Sequence, residues 1–371
     1  LSVITFFKVG SFSHINAQVE KQLRAHFPDS HVETFDVLDE LRVRAPRSHF
    51  SLSLLAAARY AKWIGARRLP PKDFITRLVP GWRAVQELAR QIIREQPTRF
   101  SFQTQSLFDA RHPGVPHFIY TDHTYRANEM YRYQKKPYPV SAEWQKLEAE
   151  LYHGATRTFS TSRFVNQSLA RLYKLPLSQM RCVFSGMNLE LPATPGNPAD
   201  NPPVILFVGV EWERKGGPQL LEAFAGVRRK MPEAELWIVG CNPRTSLPGV
   251  RIFGRVPLEE VEQFYRKARL FALPSLREPS ATVLMEAAGY GLPIVASDVG
   301  GSAERVQDCK TGLLTAPGDI NGLEEDLLEI LSSPQKASEM GRAGRRLVET
   351  TFTWDRVGEK LQTFIEEDLS P

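Results

Sequence analysis

Short apolar runs alternate with longer amphipathic stretches along the whole chain, the rhythm of a parallel sheet wound with helices. LSVITFF, VPHFIYT and PVILFVGV are apolar without alternation, as strands covered on both faces are. HVETFDVLD, TRTFSTS, AELWIVG, VRIFGRV, LFALPS and PIVAS are predicted strands as well, and VGGSAERV with TGLLTAPGD closes the last sheet. Between them, INAQVEKQLRAHF, residues 50–94, LEEVEQFYRKA and the long pattern from Asp319 to Glu349 carry helical spacing. The stretch from Met187 to Pro203 is rich in Pro, Asn and Gly and poor in apolar pattern, so it is predicted to be a linker between two domains.

Residues Phe271 to Ser297 read as strand, loop, helix, strand. Ser280 to Tyr290 is helix-like, ended by Gly289 and Gly291. Glu278 lies in the loop before that helix and Glu286 inside it, eight residues later. Eight helical residues advance about 12 Å, a span of the order that a diphosphate puts between a sugar ring and a ribose. One carboxylate would hold hydroxyls of a sugar and the other those of the ribose. The free N–H groups at the helix start, Ser280, Ala281, Thr282 and Val283, would face phosphate oxygens. Two Glu at this spacing are weak evidence by themselves; the strand–loop–helix context is what makes the pair specific.

Other loops carry candidate chemistry. Gly10 follows the first strand and precedes a helix, which suits either an ordinary turn or a phosphate cradle. Asp122 and His123 stand at the carboxyl end of VPHFIYT, where α/β proteins place ligand-handling residues. Arg214 and Lys215 precede Gly216-Gly217 at a helix start, an arrangement suited to a diphosphate whose charge grows as a glycosidic bond breaks.

The segment REPSATVLMEAAGYGLPIVASDVGGSAERV resembles the E-x7-E region of retaining GT-B glycosyltransferases, the large family 4 or glycosyl transferases group 1. The resemblance is strong from Pro203 to Asp355 and weaker before it. It implies an α/β GT-B fold, two doubly wound Rossmann-like domains facing a cleft. The expected boundaries are 1–193, with a terminal helix 356–371 crossing back, and 200–355. It also implies a metal-independent hexosyl transfer with retention from a nucleotide diphosphate sugar to an acceptor hydroxyl. In that reading Glu278 holds the donor sugar, Glu286 the ribose, and His123, within Thr121-Asp122-His123-Thr124, the sugar near the reacting centre. Arg214 and Lys215 stabilise the leaving diphosphate, Gly10 faces it, and Phe253, Gly254 and Arg255 border the base. The family carries Arg where this chain has Val210, so Arg214 would supply that charge from a shifted position. The donor is expected to be a UDP-, GDP- or ADP-sugar, with no further cofactor. Asp122 as a general base would suit an inverting enzyme instead. Two other readings stay open, a nucleotide-sugar 2-epimerase and a sugar-nucleotide-binding protein without activity.

Charge changes the picture in one place. Residues 1–200 hold 27 Lys+Arg against 17 Asp+Glu, and residues 201–371 hold 20 against 25. An anionic partner is therefore expected for the first half. Between Arg59 and Arg94 nine basic residues, among them Arg67, Arg68 and Lys72, are interleaved with Trp63, Phe74, Leu78, Val79 and Trp82. Two readings fit: core helices with a solvated basic face, or an amphipathic surface for an anionic membrane. No nucleic-acid module is legible. Three scattered cysteines without C-x-x-C suggest a reducing compartment. No secretory leader and no membrane-spanning run are legible. The expected location is the cytoplasm, peripheral on the cytoplasmic membrane face.

Overall fold

The computed structural model describes residues 2–10, 12–67, 70–133 and 138–370. The chain divides into two compact units, residues 1–130, 134–184 and 357–371 in the first and residues 131–133 and 185–356 in the second.

Six strands build the first unit's sheet: β1 (Ser2–Lys8), β2 (Ser30–Asp36), β3 (Thr98–Thr104), β4 (His117–Thr121), β5 (Arg157–Ser160) and β6 (Met180–Cys182). Their order is β2-β1-β3-β4-β5-β6, every pair parallel. Parallel pairing needs a crossover between strands. Here α1 (Ile15–His26), α2 (Val37–Arg44), α3 (Pro46–Arg67), α4 (Val79–Arg94), α5 (Ala142–Gly154) and α6 (Arg163–Leu172) supply it, except between β3 and β4, which residues 105–116 join without a helix. A row of phenylalanines crosses one face of the sheet. Phe6 meets Phe102 at 6.0 Å, Phe100 meets Phe118 at 5.5 Å, and Phe118 meets Phe159 at 6.0 Å. All five are fully buried, each contributing about 1.5–3 kcal/mol of transfer free energy.

The second unit repeats the plan with β7 (Val204–Val208), β8 (Glu235–Val239), β9 (Val250–Gly254), β10 (Leu270–Leu273), β11 (Ile294–Ser297) and β12 (Gly312–Thr315). The order is β12-β11-β10-β7-β8-β9, again parallel throughout. Its helices are α7 (Gly217–Lys230), α8 (Leu258–Lys267), α9 (Thr282–Gly289), α10 (Ile320–Leu331) and α11 (Pro334–Thr351).

The last helix, α12 (Trp354–Leu369), has most of its length in the first unit. Phe364 lies 6.5 Å from Phe159. Asp368 accepts two hydrogen bonds from Arg157, at 2.5 and 2.6 Å. A bidentate guanidinium–carboxylate pair with both partners largely out of water fixes direction as well as position.

The stretch read as a linker is packed rather than free. Gly196 N–H donates to the Tyr290 carbonyl and Asn201 Nδ2 to the carbonyls of Arg266 and Ala268. Ser338 Oγ donates to Asn197 Oδ1 at 2.9 Å. Prolines break its pattern, but its polar groups are satisfied by the second unit, so the division falls at residues 184–185 rather than at 193.

Of the two readings of the stretch between Arg59 and Arg94, the core one fits most of the aromatic and aliphatic side chains named there. Phe74, Leu78 and Trp82 are buried. Phe74 stacks on Tyr60 at 4.8 Å, and Trp82 meets Trp144 edge-on at 5.3 Å. Arg77 lies over the Phe74 and Tyr138 rings. Arg68, named in the same stretch, lies outside the described residues. Among the described residues no helix is long and apolar enough to cross a membrane.

Candidate active site

In the second sheet the chain leaves β7 toward β8 and β9 on one side and places β10 on the other. Such a reversal opens a crevice beyond the carboxyl ends of the two strands, where α/β sheets bind ligands. The loop after β7 and the loop after β10 are joined there. Leu276 N–H donates to the Arg214 carbonyl at 3.0 Å. Gly216, the N-cap of α7, has φ +73, and a Cβ on it would lie 1.8 Å from the Pro274 carbonyl oxygen. Only glycine combines that backbone with so close an approach.

Four charges meet at this junction. Arg214 Nη1 donates to Glu278 Oε2 at 3.1 Å and to the Arg277 carbonyl at 2.8 Å, while Nε donates to Glu211 Oε2 at 2.6 Å. Lys215 Nζ lies 3.6 Å from the same Glu278 oxygen. Glu278 and Lys215 are both buried. Burial pushes the Glu278 carboxyl up, but Lys215 and Arg214 outweigh it and hold the group below the usual range. Burial alone would loosen the Arg214 proton; the Glu278 and Glu211 carboxylates reverse that and raise its pKa. The Glu278 backbone is clasped from the far side. Gly301 N–H donates to its carbonyl at 2.8 Å, and Gly300, at φ +55, would put a Cβ 2.1 Å from the same oxygen.

Glu286 lies in the second turn of α9, fully buried. Tyr265 OH donates to its Oε2 at 3.1 Å. Burial raises its pKa, partly offset by Tyr265, the Asn188 backbone N–H and the Lys215 charge. Lys215 is thus felt at both carboxylates. The helix is shorter than the spacing suggests: α9 begins at Thr282, so half of the interval from Glu278 is loop. The 12 Å helical span inferred for the pair therefore does not apply. The α9 start has no side-chain cap. Ala281 is buried, while Ser280, Thr282 and Val283 are half-buried. Arg305 Nη2 donates to Ser280 Oγ at 3.2 Å.

Phe253, Gly254 and Arg255 form the end of edge strand β9 and its exit. The Phe253 ring packs 4.7 Å from Phe264 of α8, the residue before Tyr265, so one helix connects this corner to Glu286. Gly254, at φ +66, accepts from Gly240 N–H at 2.6 Å; Arg255 is exposed. Val210 is exposed, and Arg214, four residues on, reaches Glu278 together with Lys215. Sequence reasoning missed Glu211, Tyr265, Asn188 and the clasp at Gly300-Gly301. Only the clasp left a local signal, the paired glycines of VGG. Tyr265 is an unremarked helix residue until the fold brings it to Glu286.

Gly10 and His123 lie in the first unit, at the carboxyl ends of β1 and β4. Gly10 has φ +56, but its N–H donates to Asp36 Oδ2 at 2.8 Å, so that amide is already used. His123 is half-buried, and its backbone is tied to the strand end. Thr121 Oγ1 donates to the His123 carbonyl at 2.7 Å and lies 3.3 Å from its N–H. Behind this loop a buried carboxyl, Glu148, accepts from Ser106 Oγ at 2.7 Å, from the Tyr125 N–H at 3.1 Å and from Tyr173 OH. Burial pushes Glu148 up to about 7, against the downward pull of Tyr173 and Ser106.

A folded pKa above the unfolded one means the native state holds the extra proton. The associated stability is complete below about pH 4.5 and is lost as pH rises through about 7. Glu148→Gln is expected to flatten the pH dependence of unfolding across that window, by about 3 kcal/mol at most. Chemical denaturation at pH 5 and pH 8 measures it; an unchanged slope would deny Glu148 this role.

Residues 194–347 match the family model described as glycosyl transferases group 1. A glycogen synthase of Mycobacterium tuberculosis is 27% identical over 59% of this chain and 56% of its own length. The chain spans about half the length of the curated relatives it matches. Among solved structures, a sucrose-phosphate synthase from Thermosynechococcus elongatus superposes with a TM-score of 0.73 at 18% identity, covering 99% of both chains. Anabaena HepE in complex with UDP and glucose superposes with a TM-score of 0.68 at 14% identity, covering 99% of this chain and 100% of that one. The fold is GT-B.

Proposed function

We propose that this chain, whose residues 194–347 match the family model of glycosyl transferases group 1, transfers a hexose from a nucleotide diphosphate sugar to an acceptor hydroxyl with retention at the anomeric carbon. The observation that carries the reading is the convergence of Arg214 and Lys215 on Glu278 at the switch point of the second sheet. In it, Glu278 accepts hydrogen bonds from hydroxyls of the donor sugar. Glu286, held by Tyr265, accepts from the ribose. The uncapped start of α9 and the two cations receive the diphosphate.

As the bond between the anomeric carbon and the phosphate oxygen breaks, negative charge builds on the departing diphosphate. Arg214 and Lys215 stabilise that charge most when it is largest, which lowers the barrier rather than only the binding energy. Two fixed cations do here what a divalent ion does elsewhere, so the transfer is metal-independent in this reading. The acceptor oxygen bonds to the anomeric carbon from the face the phosphate leaves, and its proton passes to a phosphate oxygen. The relatives include a glycogen synthase and a phosphatidylinositol monomannoside mannosyltransferase, which supports a polysaccharide or lipid precursor as acceptor. Exposed Val210 stands where the family Arg is expected; Arg214 at Glu278 answers that loss and favours an active enzyme over a mere binding protein.

The test is incubation with a panel of UDP-, GDP- and ADP-hexoses in the presence of chelator, followed by NMR of the product. Slow donor hydrolysis or transfer, with the released sugar keeping its anomeric configuration, is expected. Inversion would contradict retention, and an epimerised nucleotide sugar formed without acceptor would replace the transferase reading.

A further inference from the structure

We propose that the outward face of α2 and α3 is a surface that seats the first unit on an anionic phospholipid bilayer. The inference does not depend on the transfer reaction. Among the described residues, four of the large apolar side chains left open to solvent lie together here, Val43 at 72% exposed, Phe50 at 65%, Leu54 at 57% and Leu55 at 47%, whereas Leu177 and Val210 stand singly elsewhere. Helical spacing explains the concentration. Leu52, Ala56 and Tyr60 recur every four residues and are buried, with Tyr60 stacked on Phe74. Phe50, Leu54 and Ala58 recur at the same interval two residues out of step, which puts them on the opposite side, and all three are exposed. A helix on the surface of a water-soluble unit ordinarily turns a polar face outward; α3 is apolar on both sides.

Charge selects the occupant. From residue 41 to residue 72 there are eight Lys and Arg and no Asp or Glu; Arg42 and Arg44 are paired with Asp39, Glu40 and Glu95, which leaves the cations of α3 and the segment after it to set the sign of the face. Arg47, Arg59, Lys62 and Lys72 are exposed around the apolar row. An apolar strip flanked by cations fits the boundary between acyl chains and anionic headgroups, where Phe and Leu enter and Lys and Arg stay at the phosphates. A second copy of the same surface would set two basic rims against each other, which disfavours an isologous dimer. The exposed apolar residues lie ahead of the aromatics that the sequence pattern singled out, since those fill the core.

The experiment is sedimentation of the full chain with phosphatidylcholine vesicles, with and without phosphatidylglycerol, at low and high salt. Binding to the anionic vesicles that falls at least tenfold as salt rises is expected. Phe50→Ser with Leu54→Ser should weaken it on the order of 100-fold, and Arg59→Gln with Lys62→Gln by roughly fivefold per residue. Circular dichroism and the thermal midpoint should stay unchanged in both, because these side chains are already in water. Phe50→Trp, which keeps the apolar character, should bind like wild type and be quenched by brominated lipid. Absent binding, equal binding to neutral vesicles, or full binding by the Phe50→Ser, Leu54→Ser variant would overturn the proposal. So would a concentration-dependent dimer that this variant abolishes without any vesicle binding by wild type.

Discussion

Replacing Glu278 by Gln is expected to lower the rate of sugar transfer by roughly two to three orders of magnitude while leaving nucleoside diphosphate affinity within a few fold. The carboxylate is buried and is tolerated as an anion only because Arg214 and Lys215 face it. In the proposed reading it touches the transferred sugar and not the nucleotide, so its loss separates chemistry from nucleotide binding. Single-turnover kinetics beside calorimetric titration of the diphosphate measures both. A folding effect should accompany the kinetic one. Arg214 keeps Glu211 as a partner, but Lys215 loses its carboxylate while remaining buried. Leaving a buried charge uncompensated costs about 3 kcal/mol, readable as a lower thermal midpoint. Full activity in Glu278→Gln would remove the carboxylate from the reaction.

The second large effect belongs to Lys215→Ala. The Lys215 stem crosses Gly209, where a Cβ would stand 2.4 Å from its Cδ, and brings the ammonium to within 3.6 Å of Glu278. The expected result is a rate lower by roughly 100-fold or more and a diphosphate affinity weaker by about 10-fold or more, with nucleoside affinity unchanged. The pH response should change as well. A carboxylate held below its unfolded pKa adds stability above that value and loses it as pH falls through the folded one. Burial already pushes Glu278 up, and Lys215 is foremost among the groups that bring it down. Without Lys215 the acid side of the stability curve should therefore move to higher pH. Equal affinity for the nucleoside and its diphosphate in wild type would contradict the assignment of the cations to phosphate.

The parts of the molecule legible in the sequence are those in which one residue type has one use. Runs such as Val204–Val208 and Leu270–Leu273 are apolar without alternation because both faces of a parallel strand are covered, and they are strands. Glu278, Arg214 and Lys215 announced themselves because charge beside glycine at strand ends has few structural roles. What was not legible depends on long-range placement. Tyr265 reaches Glu286 only because α8 and α9 pack on the same sheet. Phe74 and Trp82 look the same in sequence as Phe50 and Leu54, yet the first pair is buried and the second exposed. Periodicity finds the inward side of a helix only when the other side is polar, and α3 lacks that contrast. The proline-rich stretch misled for a related reason. Lack of pattern signals lack of regular structure, not lack of contacts, and Asn197 and Asn201 are tied to the second unit by hydrogen bonds.

Hydrogen exchange of the full chain with and without UDP, GDP and ADP tests the account at its centre. If the loops after β7 and β10 with the start of α9 receive a nucleoside diphosphate, at least one nucleotide will slow exchange across residues 209–217 and 278–286 together. The protection will be weakened in Lys215→Ala. Nucleotide binding that protects neither segment, or protection that survives that substitution in full, would contradict it.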